Sequence, residues 1–454
     1  MKVFGSSGTR GVANEELTPE FALKVAKAAG TVWRADRVAV ARDTRATGRM
    51  LADAAASGLA SVGADVDRLG IVPTPGAQAY AEREATPVVM ITASHNPPEY
   101  NGIKLIGADG VELVVSDLER IEQKFLTEQF DSVRWSETGG SRRVEGARRA
   151  YVEGLLAAVD REKISGADLT VALDPGHGAG SLTSPEFFRK LGCRVVTANS
   201  QPDGHFPGRE PEPVPENLGD LGRLVAATDA DVGIAHDGDA DRAIFYDENG
   251  KYVEGDATLA ALAAAELEPG DSVVSAVNVS QRLVDVADDR GATLELTPIG
   301  STNLITRIEE LQSEGESVPV AGEGNGGIFF PGYLLARDGA YTAAKFLELL
   351  ADRSASEVVA PYGGYHNVRV NIGYDTDAER DALLDAAERE AEESDAEMTT
   401  LDGYRFDYGD AWVLARPSGT EPMVRIYAEA REESWATELA QAMEEKLLEA
   451  KAEV

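Results

Sequence analysis

Four short loops hold the side chains able to do chemistry. The first is Thr92-Ala93-Ser94-His95-Asn96-Pro97, with Tyr100-Asn101-Gly102-Ile103-Lys104 close behind. An apolar, β-branched run, Pro87-Val88-Val89-Met90-Ile91, leads into it and has the character of a buried strand. Asn96, Pro97 and Pro98 then halt regular structure. Ser94 is therefore expected on a loop just past the end of a central strand, where open α/β sheets bind ligands. A hydroxyl there can be a nucleophile or a phosphate carrier. Taken alone, a serine before Asn-Pro is better read as a cap or turn residue. The three other loops overturn that reading.

The second loop is Asp237-Gly238-Asp239-Ala240-Asp241-Arg242. In extended backbone its alternating carboxylates would all point to one side. Hard oxygen ligands gathered in this way suit Mg²⁺ or Ca²⁺. An EF-hand is excluded although Glu248 falls at its twelfth position: the sixth is Arg242 instead of glycine, and the flanks have strand character. The competing reading is a solvated acidic turn. In the third loop, Gly322-Glu323-Gly324-Asn325-Gly326-Gly327, glycines allow close backbone approach, and Glu323 and Asn325 can hydrogen-bond sugar hydroxyls. In the fourth, Arg416-Pro417-Ser418-Gly419-Thr420, a guanidinium, two hydroxyls and successive backbone N–H groups make an anion nest suited to a phosphate monoester, with Arg425 nearby.

The elements that must position these loops alternate between strand and helix. Phe4 to Gly11 is expected as a Gly-rich loop ending in a cation, Arg10. Strands at Arg37 to Ala41 and Asp67 to Val72 and a helix from about Thr47 to Val62 precede the Ser94 strand. A polar stretch around Glu137 to Gly146 marks a boundary. The second unit carries strands Leu169 to Leu173 and Asp231 to Ala235, the latter ending at the three-aspartate loop. The third ends strand Val318 to Ala321 at the Glu323 loop. The expectation is one α/β domain type used three times, then a smaller α+β domain after about Tyr365. The boundaries are placed at 1–146, 147–254, 255–364 and 365–454.

Composition limits the rest. The chain has 454 residues, 43% of them apolar, enough for several cores. The start, Met1-Lys2-Val3-Phe4-Gly5, has no apolar signal-peptide core, and no run is long enough to span a membrane. A single cysteine, Cys193, permits no internal disulfide. The expectation is a soluble, cytoplasmic protein. Its 79 acidic against 43 basic residues give a net charge of -36, which repels nucleic acid and anionic membranes. The acidity is spread along the chain, a pattern expected of adaptation to high salt, where screening removes self-repulsion.

On the four loops, in this order, the chain resembles the α-D-phosphohexomutase superfamily over essentially its full length. Phe4 to Gly11, Pro211-Glu212-Pro213 and Pro215-Glu216-Asn217-Leu218 also look like family signatures. The resemblance implies a phosphoserine at Ser94 and one Mg²⁺ per chain, held by that phosphoserine with Asp237, Asp239 and Asp241. It implies Arg10 and Lys104 beside the reacting phosphoryl group and Arg242 next to the metal loop. Glu323 and Asn325 would hold sugar hydroxyls. Arg416, Ser418, Gly419 and Thr420 would hold the non-reacting phosphate. The implied reaction interconverts hexose 6-phosphate and hexose 1-phosphate through a sugar bisphosphate, in a monomer or homodimer.

The form Gly-Glu-Gly-Asn-Gly-Gly, followed by Arg337-Asp338-Gly339, resembles archaeal-type members. These divide between phosphoglucosamine mutase, the expectation here, and phosphomannomutase/phosphoglucomutase. A sugar phosphatase and a non-catalytic sugar-phosphate sensor are more remote alternatives. His177 receives no role.

Overall fold

The structure is a computed structural model and describes residues 4–5, 8–393, 396–418 and 422–454, leaving aside the side chains of 391–393. The chain forms two compact units, residues 1–262 with 318–361, and residues 263–317 with 362–454.

The first unit contains a six-stranded sheet. Its order is Thr9–Val12, Tyr100–Ile106, Val88–Ile91, Arg37–Arg42, Asp65–Ile71, Ser141–Arg143. The pairs among Val88–Ile91, Arg37–Arg42, Asp65–Ile71 and Ser141–Arg143 are parallel, and Tyr100–Ile106 runs antiparallel to both its neighbours. Helices cover both faces. Val38, Val40, Val89 and Ile91 pack with helices Pro19–Trp33 and Gly48–Ser61. Ala39, Ala41, Val88 and Met90 pack with Ala77, Tyr80 and Ala81 of helix Thr74–Glu84 on the other side. A strand buried on both faces must be apolar throughout, which accounts for the unbroken run before Ser94.

A second sheet has the order Tyr252–Val253, Ile244–Tyr246, Val232–Ala235, Thr170–Asp174, Arg194–Thr197, again mixed. Strands Val320–Gly322, Ile328–Phe330 and Leu334–Arg337 form an antiparallel run in the same unit.

In the second unit, Ser272–Ala276 and Thr293–Thr297 pair in parallel. An antiparallel sheet follows, ordered His366–Gly373, Met423–Ala430, Ala411–Pro417, Tyr404–Asp407, Glu397–Thr399. Helices Asp377–Glu393 and Glu433–Ala452 cover it through Leu383, Ala387, Ala440, Met443 and Leu447. The architecture is three α/β domains with mixed sheets and a smaller C-terminal domain with an antiparallel sheet.

One expectation is corrected here. Phe4 to Gly11 is not wholly a loop, because Thr9–Val12 is a strand hydrogen-bonded to Tyr100–Ile103. The glycines suggested a turn, but Gly11 lies opposite Asn101 in the ladder. Among the described residues, no helix is long and apolar enough to cross a membrane.

Candidate functional site

Val88–Ile91 is an inner strand of its sheet, and Ser94 lies just beyond its end, fully buried. The Ser94 hydroxyl donates to Asp237 Oδ2 at 2.6 Å. Asp237, Asp239 and Asp241 follow strand Val232–Ala235, and each offers a carboxylate oxygen within 4.8 Å of the others. They do not converge by extended alternation, as the spacing suggested. Gly238 to Ala240 form a turn with Ala240 at φ +57°, and the His236 Nδ1–H donates to the Arg242 carbonyl at 2.8 Å, closing the loop.

The three carboxylates share one pattern. Each has its Oδ2 held by the protein. Ser94 holds that of Asp237, and the Thr74 hydroxyl holds that of Asp239 at 2.6 Å. Lys104 Nζ at 3.0 Å and Arg337 Nη2 at 2.6 Å hold that of Asp241. Each also has a buried Oδ1 with no hydrogen-bond partner. Buried polar atoms are rarely left so. Three orphaned hard oxygens in one cluster fit a divalent cation.

The electrostatics agree. Burial, then Asp241 and Asp239, push the Asp237 carboxyl well above its usual range. Burial works against the charge of Asp241 too, but Arg337, Lys104 and Arg242 outweigh it and hold that carboxyl below its usual range. Burial opposes the Lys104 charge, yet Asp241, Glu112 and Asp239 push the ammonium above its ordinary value. Lys104 Nζ lies 3.2 Å from Glu112 and 3.5 Å from Asp239.

Arg10 donates to Asn96 Oδ1 at 2.7 Å, which places it beside the Ser94 loop. Arg242 donates to His95 Nδ1 at 3.1 Å. Burial, then Arg242 and Arg10, drive the His95 imidazole far below its usual value, so the ring is neutral and its Nδ1 is an acceptor. Ser94 Oγ lies 3.5 Å from the same Nδ1.

Glu323 and Asn325 sit together on the loop after Val320–Gly322, 3.4 Å apart, with Asn325 Oδ1 accepting from the Gly327 N–H. This loop meets the aspartate loop directly: the Ala243 N–H donates to the Gly326 carbonyl at 3.0 Å. Arg337 joins the two as well. A Cβ on Gly327 would lie 2.6 Å from Arg337 Cδ, so the arginine stem runs through the space a side chain at 327 would fill.

In the second unit, Arg416 lies one residue before the end of strand Ala411–Pro417 and pairs with Asp402 at 3.0 Å. Arg425 lies opposite it in the ladder, and the Ser418 N–H donates to the Met423 carbonyl. Gly419 and Thr420 lie outside the described residues, as do Ser6 and Ser7.

The first unit thus gathers Ser94, Arg10, Lys104, the three aspartates and Arg242, with Glu323 and Asn325 on the adjoining loop. Sequence reasoning missed Thr74, His95, Glu112 and Arg337. Arg337-Asp338-Gly339 was visible only as a branch signature, and nothing around Pro73-Thr74-Pro75 marks a polar contact to another domain. His177 donates from Nδ1 to the Gln201 carbonyl, a local loop contact.

Known proteins match the chain along its length. Residues 1–132, 149–250 and 254–364 match the phosphoglucomutase/phosphomannomutase α/β/α domains I, II and III, and 367–446 match the C-terminal domain. The "Phosphoglucomutase/phosphomannomutase" of Thermococcus kodakarensis is 43% identical over 96% of each chain. The "Probable phosphoglucosamine mutase" of Methanococcoides burtonii is 40% identical over 95% of this chain and 96% of its own. The "Phosphoglucosamine/phosphogalactosamine mutase" of Sulfurisphaera tokodaii is 36% identical over 99% and 100%. A phosphoglucomutase/phosphomannomutase family protein from Burkholderia thailandensis has a similar solved structure, with a TM-score of 0.85 and 27% identity over 99% of this chain and 98% of its own.

Proposed function

We propose that this chain, which belongs to the phosphoglucomutase/phosphomannomutase family and is a mutase of that class, interconverts glucosamine 6-phosphate and glucosamine 1-phosphate through a phosphorylated Ser94. The observation that carries the mechanism is the Ser94 hydroxyl 2.6 Å from Asp237, in a cluster of three aspartates with orphaned oxygens. Asp237, Asp239, Asp241 and the phosphoserine would hold Mg²⁺, which when bound would supply charge neutralisation for the transferring group.

Phosphoryl transfer needs in-line placement and charge stabilisation more than covalent help. The bond between Ser94 Oγ and phosphorus breaks as the free sugar hydroxyl bonds to phosphorus; the sugar hydroxyl gives up its proton and Ser94 Oγ leaves to become a hydroxyl, so that net one proton passes from sugar to serine as the bisphosphate forms. The bisphosphate turns over, and Ser94 Oγ accepts the other phosphoryl group. Arg10 and Lys104 add positive charge around the reacting group. Glu323 and Asn325 hold ring hydroxyls in either orientation. Arg416, Ser418, Gly419, Thr420 and Arg425 hold the phosphate that is not reacting.

The substrate choice rests on relatives named phosphoglucosamine mutase at 36–40% identity, from several archaea. The name of the 43% identical Thermococcus protein favours a second reading, phosphomannomutase/phosphoglucomutase, with the same residues in the same roles. Direct competition of glucosamine 6-phosphate, mannose 6-phosphate and glucose 6-phosphate, at high salt because of the acidic surface, decides between them. The expected result is the highest kcat/KM for glucosamine 6-phosphate. A higher value for either neutral sugar installs the second reading. Release of inorganic phosphate without isomer formation would make the chain a phosphatase.

A further inference from the structure

Ser94 occupies a backbone conformation disfavoured for a residue with a Cβ. Its φ is +53°, in the left-handed region, where a Cβ crowds the following carbonyl oxygen. A residue persists there only when its surroundings over-determine it. One side chain, Arg45, holds four backbone carbonyls from Ser94 to Tyr100.

Arg45 is fully buried. Its Nη1 donates to the carbonyls of Pro97 at 2.6 Å and Tyr100 at 2.9 Å. Its Nη2 donates to the carbonyls of Ser94 at 2.9 Å and Asn96 at 2.6 Å. Its Nε donates to Asp43 Oδ2 at 3.1 Å. The five N–H donors of a guanidinium are thereby committed, four of them to one loop. Asp43 completes the frame. Its Oδ2 also accepts from the Thr92 hydroxyl at 2.7 Å, and Thr92 Oγ1 accepts from the Ser94 N–H at 2.9 Å. The peptide groups on both sides of Ser94 are therefore anchored to the same Asp43–Arg45 pair.

A segment of the second α/β domain closes over this pair. The Phe206 ring lies over the Arg45 guanidinium, 5.2 Å from ring centre to carbon. Gly204 bridges to Arg45 in the backbone, and a Cβ at 204 would lie 2.4 Å from the Ala46 nitrogen and the Thr44 carbonyl oxygen.

We propose that Arg45, sealed by Phe206, is a positioning residue for phosphoryl transfer: it presets the Ser94 loop so that the hydroxyl faces the three aspartates. The proposal rests on Ser94 being the phosphoryl carrier. Arg45 touches no reacting atom, and its donors are spent on carbonyls and Asp43, so it is not a phosphate ligand. Lysine cannot replace it, because an ammonium lacks the planar fork that reaches four carbonyls.

The test uses the full chain with Arg45→Lys, Arg45→Met and Phe206→Leu. Ser94 phosphorylation by glucose 1,6-bisphosphate is followed by intact mass, beside kcat, KM and thermal unfolding. Misplacing a reacting atom by about 1 Å costs on the order of a hundredfold in rate. Both Arg45 variants are expected to lose about that factor in Ser94 phosphorylation rate and in kcat together, with KM nearly unchanged. Phe206→Leu, which leaves every hydrogen bond in place, is expected to lose about tenfold. If the Arg45 variants do not fold, Phe206→Leu decides alone. Folded variants that phosphorylate Ser94 at the wild-type rate overturn the proposal. A wild-type chain that takes up no phosphate on Ser94 overturns the carrier reading, and this proposal with it.

Discussion

Thr74→Val is the most discriminating single change at the aspartate cluster. Thr74 is fully buried, and its hydroxyl donates to Asp239 Oδ2 at 2.6 Å. Valine keeps the shape and removes the donor. The backbone bond from the Thr74 N–H to the Asp239 carbonyl, 3.0 Å, is retained, so the loop stays attached. A hydrogen bond to a charged group contributes about 1.5–3 kcal/mol. Its loss lets the Asp239 carboxylate turn toward Lys104 Nζ, already 3.5 Å from the same oxygen. Losing a partner that orients a metal ligand typically costs about 10–100-fold in metal affinity, equivalent to about 1.4–2.7 kcal/mol. Calorimetric titration of Mg²⁺ into phosphate-free protein reads this directly, without turnover. Thr74→Ser should restore most of the affinity, because it restores the donor. If Thr74→Val binds Mg²⁺ as the wild type does, orientation of Asp239 by Thr74 is irrelevant and the pinned-oxygen description of the cluster is wrong.

Ser94→Ala should abolish mutase turnover with thermal unfolding little changed; turnover with no phosphoserine in the intact mass would remove Ser94 from the mechanism. Arg416→Ala should raise KM for both the 1-phosphate and the 6-phosphate by tenfold or more, on the order expected for a lost charge-assisted phosphate contact; an effect on one isomer alone refutes a clamp shared by both orientations. Asp338 is pushed up to about 6 from the usual 3.8, chiefly by burial. A carboxyl raised in the folded state stabilises most at low pH and loses that contribution as pH rises through about 6. Asp338→Asn should therefore flatten the unfolding profile between about pH 4 and 6, and an unchanged slope would show that other groups dominate there.

Much of this was legible in the residues. The Val88–Ile91 run foretold a buried strand, which the structure buries on both faces, and the loops that follow late strands carry the polar side chains. The three aspartates were found by spacing, but for the wrong geometric reason, since a turn at Ala240 gathers them. What stayed hidden was the support. Thr74 and Arg337 act on aspartates 165 and 96 residues away along the chain. Local periodicity carries no trace of contacts at such separation. Strand Thr9–Val12 was hidden by its glycine, because its pairing is set by a partner far along the chain.

The close approach of Arg337 to Gly327 has a consequence for how this site can change over time. Gly327 does not have a positive φ, so its backbone would accept other residues. What crowds a side chain at 327 is first the arginine stem, 2.6 Å from where a Cβ would stand, and then Asn325 Oδ1 at 3.1 Å. The two positions are therefore mutually exclusive: an arginine at 337 reaching Asp241, or a side chain at 327 projecting over the same space. A lineage passing from glycine to a larger residue at 327 must give up Arg337 first, and so pass through an intermediate in which Asp241 keeps only Lys104 on its Oδ2. The order of substitution is constrained by volume before it is constrained by chemistry, and positions 327 and 337 should vary together among relatives.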